Sequence, residues 1–223
     1  MNFIDLKSGS SVEGDAIKAY RSENKSKKYI YLMAGVHGDE VEGIYVLKQL
    51  FEWLKDQEEI QLPFIVIPVV NVDGFRVGNR VNSHGVDLNR NLPSKEWSQK
   101  ARAKKYHPGK APMSEPENQF LEKLLKKFPP KIIFTFHSWI ALLYYNGDCQ
   151  EIAVFLSRYN SYPVSHDITG HPTPGSLGEY GPEKYKCPVL TFECPPISED
   201  KTLKDIWEEN REGLENLFKS DLL

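Results

Sequence analysis

Four positions carry groups that can hold a divalent cation or move a proton, and each follows an apolar run. His37 and Glu40 stand three apart in "LMAGVHGDEVEG" (32–43), where a strand passes into a helix. Around one tight turn, two such side chains can aim at the same point. His137 closes "KIIFTFH", where an unpartnered imidazole would be costly to desolvate. Two His and one carboxylate make the ligand set of an open catalytic zinc site, which keeps its fourth position for water. Each residue also has a plainer use: a buried His bonded to backbone, or a Glu favoured by the dipole at a helix N-terminus.

Glu193 lies between Phe192 and Cys194 at the end of "VLTFEC". Burial there raises a carboxyl pKa toward the range useful for proton transfer, although an edge carboxylate in a salt bridge would fit the same position. A metal can acidify water to a pKa of about 7, but a neighbouring base is still needed to accept the proton and pass it to a leaving amine. "VDLNRN" sets Asn89 beside Arg90, with Arg80 ten residues earlier. Guanidinium forks bind carboxylates bidentately and can stabilise an oxyanion near a metal, while an isolated surface arginine is more often a solvated charge.

The elements that must position these groups read as alternating strands and helices. "KKYIYLMAG" (27–35), "PFIVIPVVN" (63–71), "KIIFTFHSW" (131–139) and "CPVLTFECP" (187–195) are buried strands. "GDEVEGIYVLKQLFEWLKDQ" (38–57) is the helix after the first, with Val41, Ile44, Val46, Leu47, Leu50, Phe51 and Leu54 largely on one face. In "SEPENQFLEKLLKKF", Ser114 caps, Pro116 suits the first turn and Glu117 completes a capping box. A last helix presents Leu203, Ile206, Trp207, Leu214, Leu217 and Phe218. The Asn- and Gly-rich stretch 71–94 reads as turns. No low-complexity linker interrupts the pattern, so one α/β domain over 1–223 is expected. In open α/β sheets ligands bind beyond the carboxyl ends of the strands, where these polar residues gather.

Composition narrows the choice. At 223 residues, 40% hydrophobic and 26% charged, the chain can hide roughly 70% of its unfolded surface without disulfides or a structural metal. A net charge of −3 gives no broad attraction to nucleic acid. The basic stretch Lys95 to Lys110 lacks the interleaved aromatics of a single-strand groove and reads as a solvated loop. Three cysteines without CxxC spacing, Cys149, Cys187 and Cys194, suit free thiols in a reducing compartment. No apolar N-terminal segment or run of ~20 apolar residues stands out, so a cytoplasmic protein without membrane contact is expected.

HxxE at His37 and Glu40, "DLNRN" at Asp87 to Asn91, a distal His at a strand end and "TFE" at Glu193 together resemble the zinc carboxypeptidases. Within them, "HGDE", "VDLNRNLP", "SEPE" and "GSLGEY" are most similar to the bacterial murein peptide amidases, which cleave the γ-D-glutamyl to meso-diaminopimelate bond. The resemblance implies a mixed, roughly eight-stranded twisted sheet flanked by helices, one zinc ion and a small murein peptide as substrate. It implies His37, Glu40 and His137 as ligands and Glu193 as general base and acid. Arg80, or Arg76 in its place, would polarise the scissile carbonyl, and Asn89 and Arg90 would hold a substrate carboxylate. Two departures stand out: the usual "NPDG" is "NVDG" with Val72, and no Tyr shortly precedes "GS", leaving His171 or Tyr180 as substitutes for a mobile tyrosine. The related desuccinylase and aspartoacylase branch shares HxxE, "DLNR" and the distal His, but "SEPE" and "GSLGEY" argue against it. An inactive zinc-binding peptide module would have no need of Glu193. Oligomeric state is not legible.

Overall fold

The computed structural model describes residues 1–167 and 170–223. In chain order the elements are β1 (Phe3–Asp5), β2 (Gly9–Ser10), β3 (Ala16–Ile17), β4 (Tyr20–Ser22), β5 (Tyr29–Ala34), α1 (Val41–Lys55), β6 (Phe64–Ile67), α2 (Val72–Val77), α3 (Pro116–Lys127), β7 (Pro130–Ser138), β8 (Leu142–Asn146), α4 (Gln150–Asn160), β9 (Val164–Ser165), α5 (Leu177–Tyr180), β10 (Val189–Cys194) and α6 (Leu203–Lys219). Eight strands form one mixed sheet in the order β1-β4-β6-β5-β7-β10-β8-β9, and β2 and β3 pair separately. The α/β fold with a mixed eight-stranded sheet flanked by helices is therefore present.

The four apolar runs become β5, β6, β7 and β10, which lie side by side and parallel. Strands buried on both faces need no polar alternation, which explains their near-continuous hydrophobicity. Ile30, Leu32 and Ala34 of β5 join Phe134 and Phe136 of β7 and Leu190 and Phe192 of β10 in one core, under α1, α4 and α6. Tyr29, Tyr31 and Met33 turn the other way with Ile133 and Val189, toward α3 and α5. Parallel pairing brings the carboxyl ends of these strands to one edge. From β5 the chain crosses to β6 on one side and later to β7 on the other, and such a switch point opens a crevice at the strand ends.

Boundaries shift where tertiary bonds intervene. The strand expected over 63–71 ends at Ile67, because the following backbone bends to donate from Val70 N to Ala34 O and from Asn71 N to Gly35 O. Within 71–94 a short helix, α2, forms on an Asn71 cap whose side chain accepts from Gly74 N. The capping box expected at Ser114 is absent. Glu115 is the N-cap, and Glu117 accepts from Val12 N and from Asn82, so its carboxylate ties the N-terminal segment to the helix. The three cysteines are buried thiols. Among the described residues no helix is long and apolar enough to cross a membrane.

One glycine decides how closely α1 meets the sheet. A Cβ at Gly43 would stand 2.7 Å from the carbonyl carbon of Phe136 and 2.9 Å from the nitrogen of His137. Gly43→Ala is expected to cost about 1–3 kcal/mol of stability by overpacking, measured by urea denaturation, and to part Glu40 from His137. Unchanged stability would show that this approach can relax.

Candidate active site

Sheet register builds half of the site. Glu193 of β10 pairs with His137 of β7, and one step below them Thr191 pairs with Thr135, so all four side chains face the same way. That face is the one covered by α3 and α5, and cover stops short of the strand ends. The other half comes from the turn after β5, where His37 and Glu40 precede α1.

The donors converge. Nδ1 of His37 lies 2.7 Å from Oε1 of Glu40, Nδ1 of His137 lies 2.7 Å from Oε2, and the two Nδ1 atoms are 3.2 Å apart. One ligand atom from each of the three residues falls within 4.8 Å of the others, and all three residues are buried. The outer ring nitrogens are held as well: His37 Nε2 is 3.1 Å from Asp87 Oδ1, and His137 Nε2 is 3.0 Å from Thr135 Oγ1. A ring that donates from Nε2 presents a lone pair at Nδ1. Two such lone pairs facing one carboxylate repel unless a cation lies between, and this donor set therefore fits zinc.

The charges carry the same message. Burial works against a charged His37, but Glu40 and Asp87 outweigh it and raise the imidazolium to about 9. Glu40 pays for burial yet is held well below the usual carboxylate range by His37 and His137. Asp87 is likewise depressed against burial by His37, Arg80 and Arg90. Glu193 behaves in the opposite way. Burial pushes its carboxyl up to about 7, with His137 opposing and Glu40 adding. Its Oε2 is buried without a hydrogen-bond partner among the described residues.

The polar segment after β6 supplies the cations. Arg80 donates from Nε and Nη2 to Asp87 Oδ2 at 3.1 and 2.9 Å, and from Nη1 to Glu40 Oε1 at 3.2 Å. Arg76 instead pairs with Asp15 at the surface and does not line the cleft. Asn89 Oδ1 accepts from Leu177 N at 2.8 Å and anchors the start of α5. Arg90, buried beside it, donates to Asn89 O. His37, Glu40, His137, Glu193, Arg80, Asn89 and Arg90 thus border a single cleft of about 730 Å³. Of the two tyrosine substitutes considered, Tyr180 is buried and donates to Glu122, whereas His171 lines the cleft against Trp139 with ring centres 4.9 Å apart.

Three contributors were not singled out from the sequence. Asp87 belongs to the "DLNRN" string, but its hold on His37, Arg80 and Asn89 N is tertiary. Thr135 could have been found from its spacing, two residues before His137 on one strand face. The basic stretch 95–110 is not wholly a solvated loop: Arg102, Lys105 and Tyr106 form part of the cleft wall.

Comparison with known proteins follows this geometry. Residues 4–169 match the zinc carboxypeptidase family model. A murein peptide amidase A from Vibrio campbellii is 30% identical over 207 residues, spanning 88% of this chain and 81% of that protein. The crystal structure of a murein-tripeptide amidase from Escherichia coli O157 superposes with a TM-score of 0.77 at 25% identity, covering 97% of this chain and 92% of that one. Carboxypeptidase A from Helicoverpa armigera shares the fold, with a TM-score of 0.80 at 16% identity over 97% of this chain and 68% of that one.

Proposed function

The chain belongs to the zinc carboxypeptidase family of hydrolases, and from that premise we propose that it cleaves the γ-D-glutamyl to meso-diaminopimelate amide of small murein peptides. The observation that carries this reading is the His37, Glu40 and His137 donor set with Glu193 in register on the next strand. The names of the similar amidases support the substrate class.

His37, Glu40 and His137 would hold one zinc ion, which polarises a carbonyl and acidifies water when bound. Glu193 accepts the proton of the attacking water and returns it to the amine nitrogen as the amide breaks. Its raised pKa suits both halves of that transfer. Asp87 and Thr135 fix the ring orientations of the two histidines through their outer nitrogens. Arg80, held in place by Asp87, offers a donor toward the oxygen that gains charge. Asn89 and Arg90 grip the carboxylate beside the scissile bond. The free thiols suit a cytoplasmic setting, where such peptides would arrive as fragments.

Purified protein given zinc and L-Ala-γ-D-Glu-meso-diaminopimelate is expected to release diaminopimelate, and a chelator should stop the release until zinc is restored. No release from the zinc-loaded protein would reject the substrate assignment.

A further inference from the structure

Four cations gather around one ring in the cleft. The Tyr106 ring centre lies 4.3 Å from the Arg102 guanidinium, 5.1 Å from Lys105 Nζ, 5.3 Å from Arg80 and 5.5 Å from Arg90. Aromatic faces attract cations, so Tyr106 can hold several side by side that would otherwise repel. Yet only Arg80 has acid partners, Asp87 and Glu40. Among the described residues no carboxylate forms an ion pair with Arg90, Arg102 or Lys105, and Arg102's hydrogen bond goes to the Gly170 carbonyl. Asp39, on the same wall, pairs with none of them. The shortage of anions registers on Arg90, whose pKa is lowered by burial and then by Arg80 and Arg102.

A single substrate carboxylate at Arg90 leaves Arg102 and Lys105 unanswered. We propose that Arg102 and Lys105, braced on Tyr106, form a second carboxylate subsite that selects a leaving amino acid with an acidic group on its own side chain. The placement follows from sharing. Arg90 grips the carboxylate next to the scissile bond, and Arg102 and Lys105 meet the same ring, so the second acid belongs to the same departing fragment. Guanidinium forks match carboxylate geometry, which makes Arg102 the specific contact and Lys105 the supporting charge. This subsite deepens the amidase reading and rests on it for the identity of the leaving fragment.

The test compares two tripeptides that differ only in the leaving residue: meso-diaminopimelate, or L-lysine, which lacks the second carboxylate. Zinc-loaded wild type should favour the diacid in kcat/KM by about 10–100-fold, the value of a charge-assisted pair. The double variant Arg102→Ala/Lys105→Ala should lose that preference, mainly through KM, and keep its rate on the lysine peptide within about twofold. Equal losses on both peptides, or an undiminished preference, would overturn the proposal. So would a variant effect that vanishes when the free α-carboxylate of the D-glutamyl residue is amidated. Calorimetry with free diaminopimelate and free lysine gives a readout independent of turnover. If neither peptide is cleaved, the amidase reading fails. The subsite then stands only if wild type binds the diacid more tightly and the variant does not.

Discussion

Replacing Glu193 with Gln is expected to lower kcat by about a thousandfold, or about 4 kcal/mol of barrier, while the protein still carries one zinc per chain. Gln has nearly the same volume and can sit at the end of β10 between Phe192 and Cys194 without disturbing the core. What it lacks is the ability to take a proton. Wild-type Glu193 is placed for that task by three features: register beside His137, burial that pushes its carboxyl up to about 7, and an Oε2 without a hydrogen-bond partner among the described residues. It is not one of the three converging ligand residues, so metal content should survive. KM should change little, because the base contributes mainly to the transition state. Steady-state kinetics on the tripeptide, paired with metal analysis of the same sample, checks the claim. Retention of more than about a tenth of wild-type kcat would remove Glu193 from the role of base.

Glu40→Ala should show the converse pattern, with metal lost and fold kept. Glu40 faces both histidine rings through its two oxygens and accepts from Ser138 N, so it joins the β5 turn to the end of β7. Losing an outer hydrogen-bond partner of a metal ligand typically weakens binding by about 10–100-fold, and losing a ligand should exceed that range. The helices and strands do not need Glu40 to associate. The core under α1, α4 and α6 and the core under α3 and α5 are built from apolar side chains on either face of the sheet. Competition against a coloured chelator measures the affinity, and circular dichroism monitors the fold. Wild-type zinc affinity in Glu40→Ala would exclude it as a ligand.

The strong elements were legible because their signals are local. Each of β5, β6, β7 and β10 is an apolar run long enough to be buried on both faces, and each ends where a polar residue interrupts it. His37, Glu40, His137 and Glu193 stand at those interruptions, which is why they could be picked out. The flanking strands were harder to see. β1 and β4 are three residues each and partly exposed, and β9 has only two, so neither run length nor alternation marks them. The cap of α3 was misread for a related reason: Glu117 has the spacing of a capping box, but Val12 and Asn82 claim its carboxylate from distant parts of the chain. Asp87 and Tyr106 were hidden in the same way. Their partners are brought to them by folding, and sequence spacing alone carries no trace of the cluster around the Tyr106 ring.

At the centre stands the claim that His37, Glu40 and His137 share one zinc ion. Anomalous diffraction at the zinc edge, from crystals grown with one equivalent of zinc, tests it most directly. The account predicts one peak at about 2.0–2.2 Å from Nδ1 of His37, Nδ1 of His137 and a carboxylate oxygen of Glu40, with Glu193 beside it but not bound. A peak at another site, or one that lacks any of these three ligands, would contradict it.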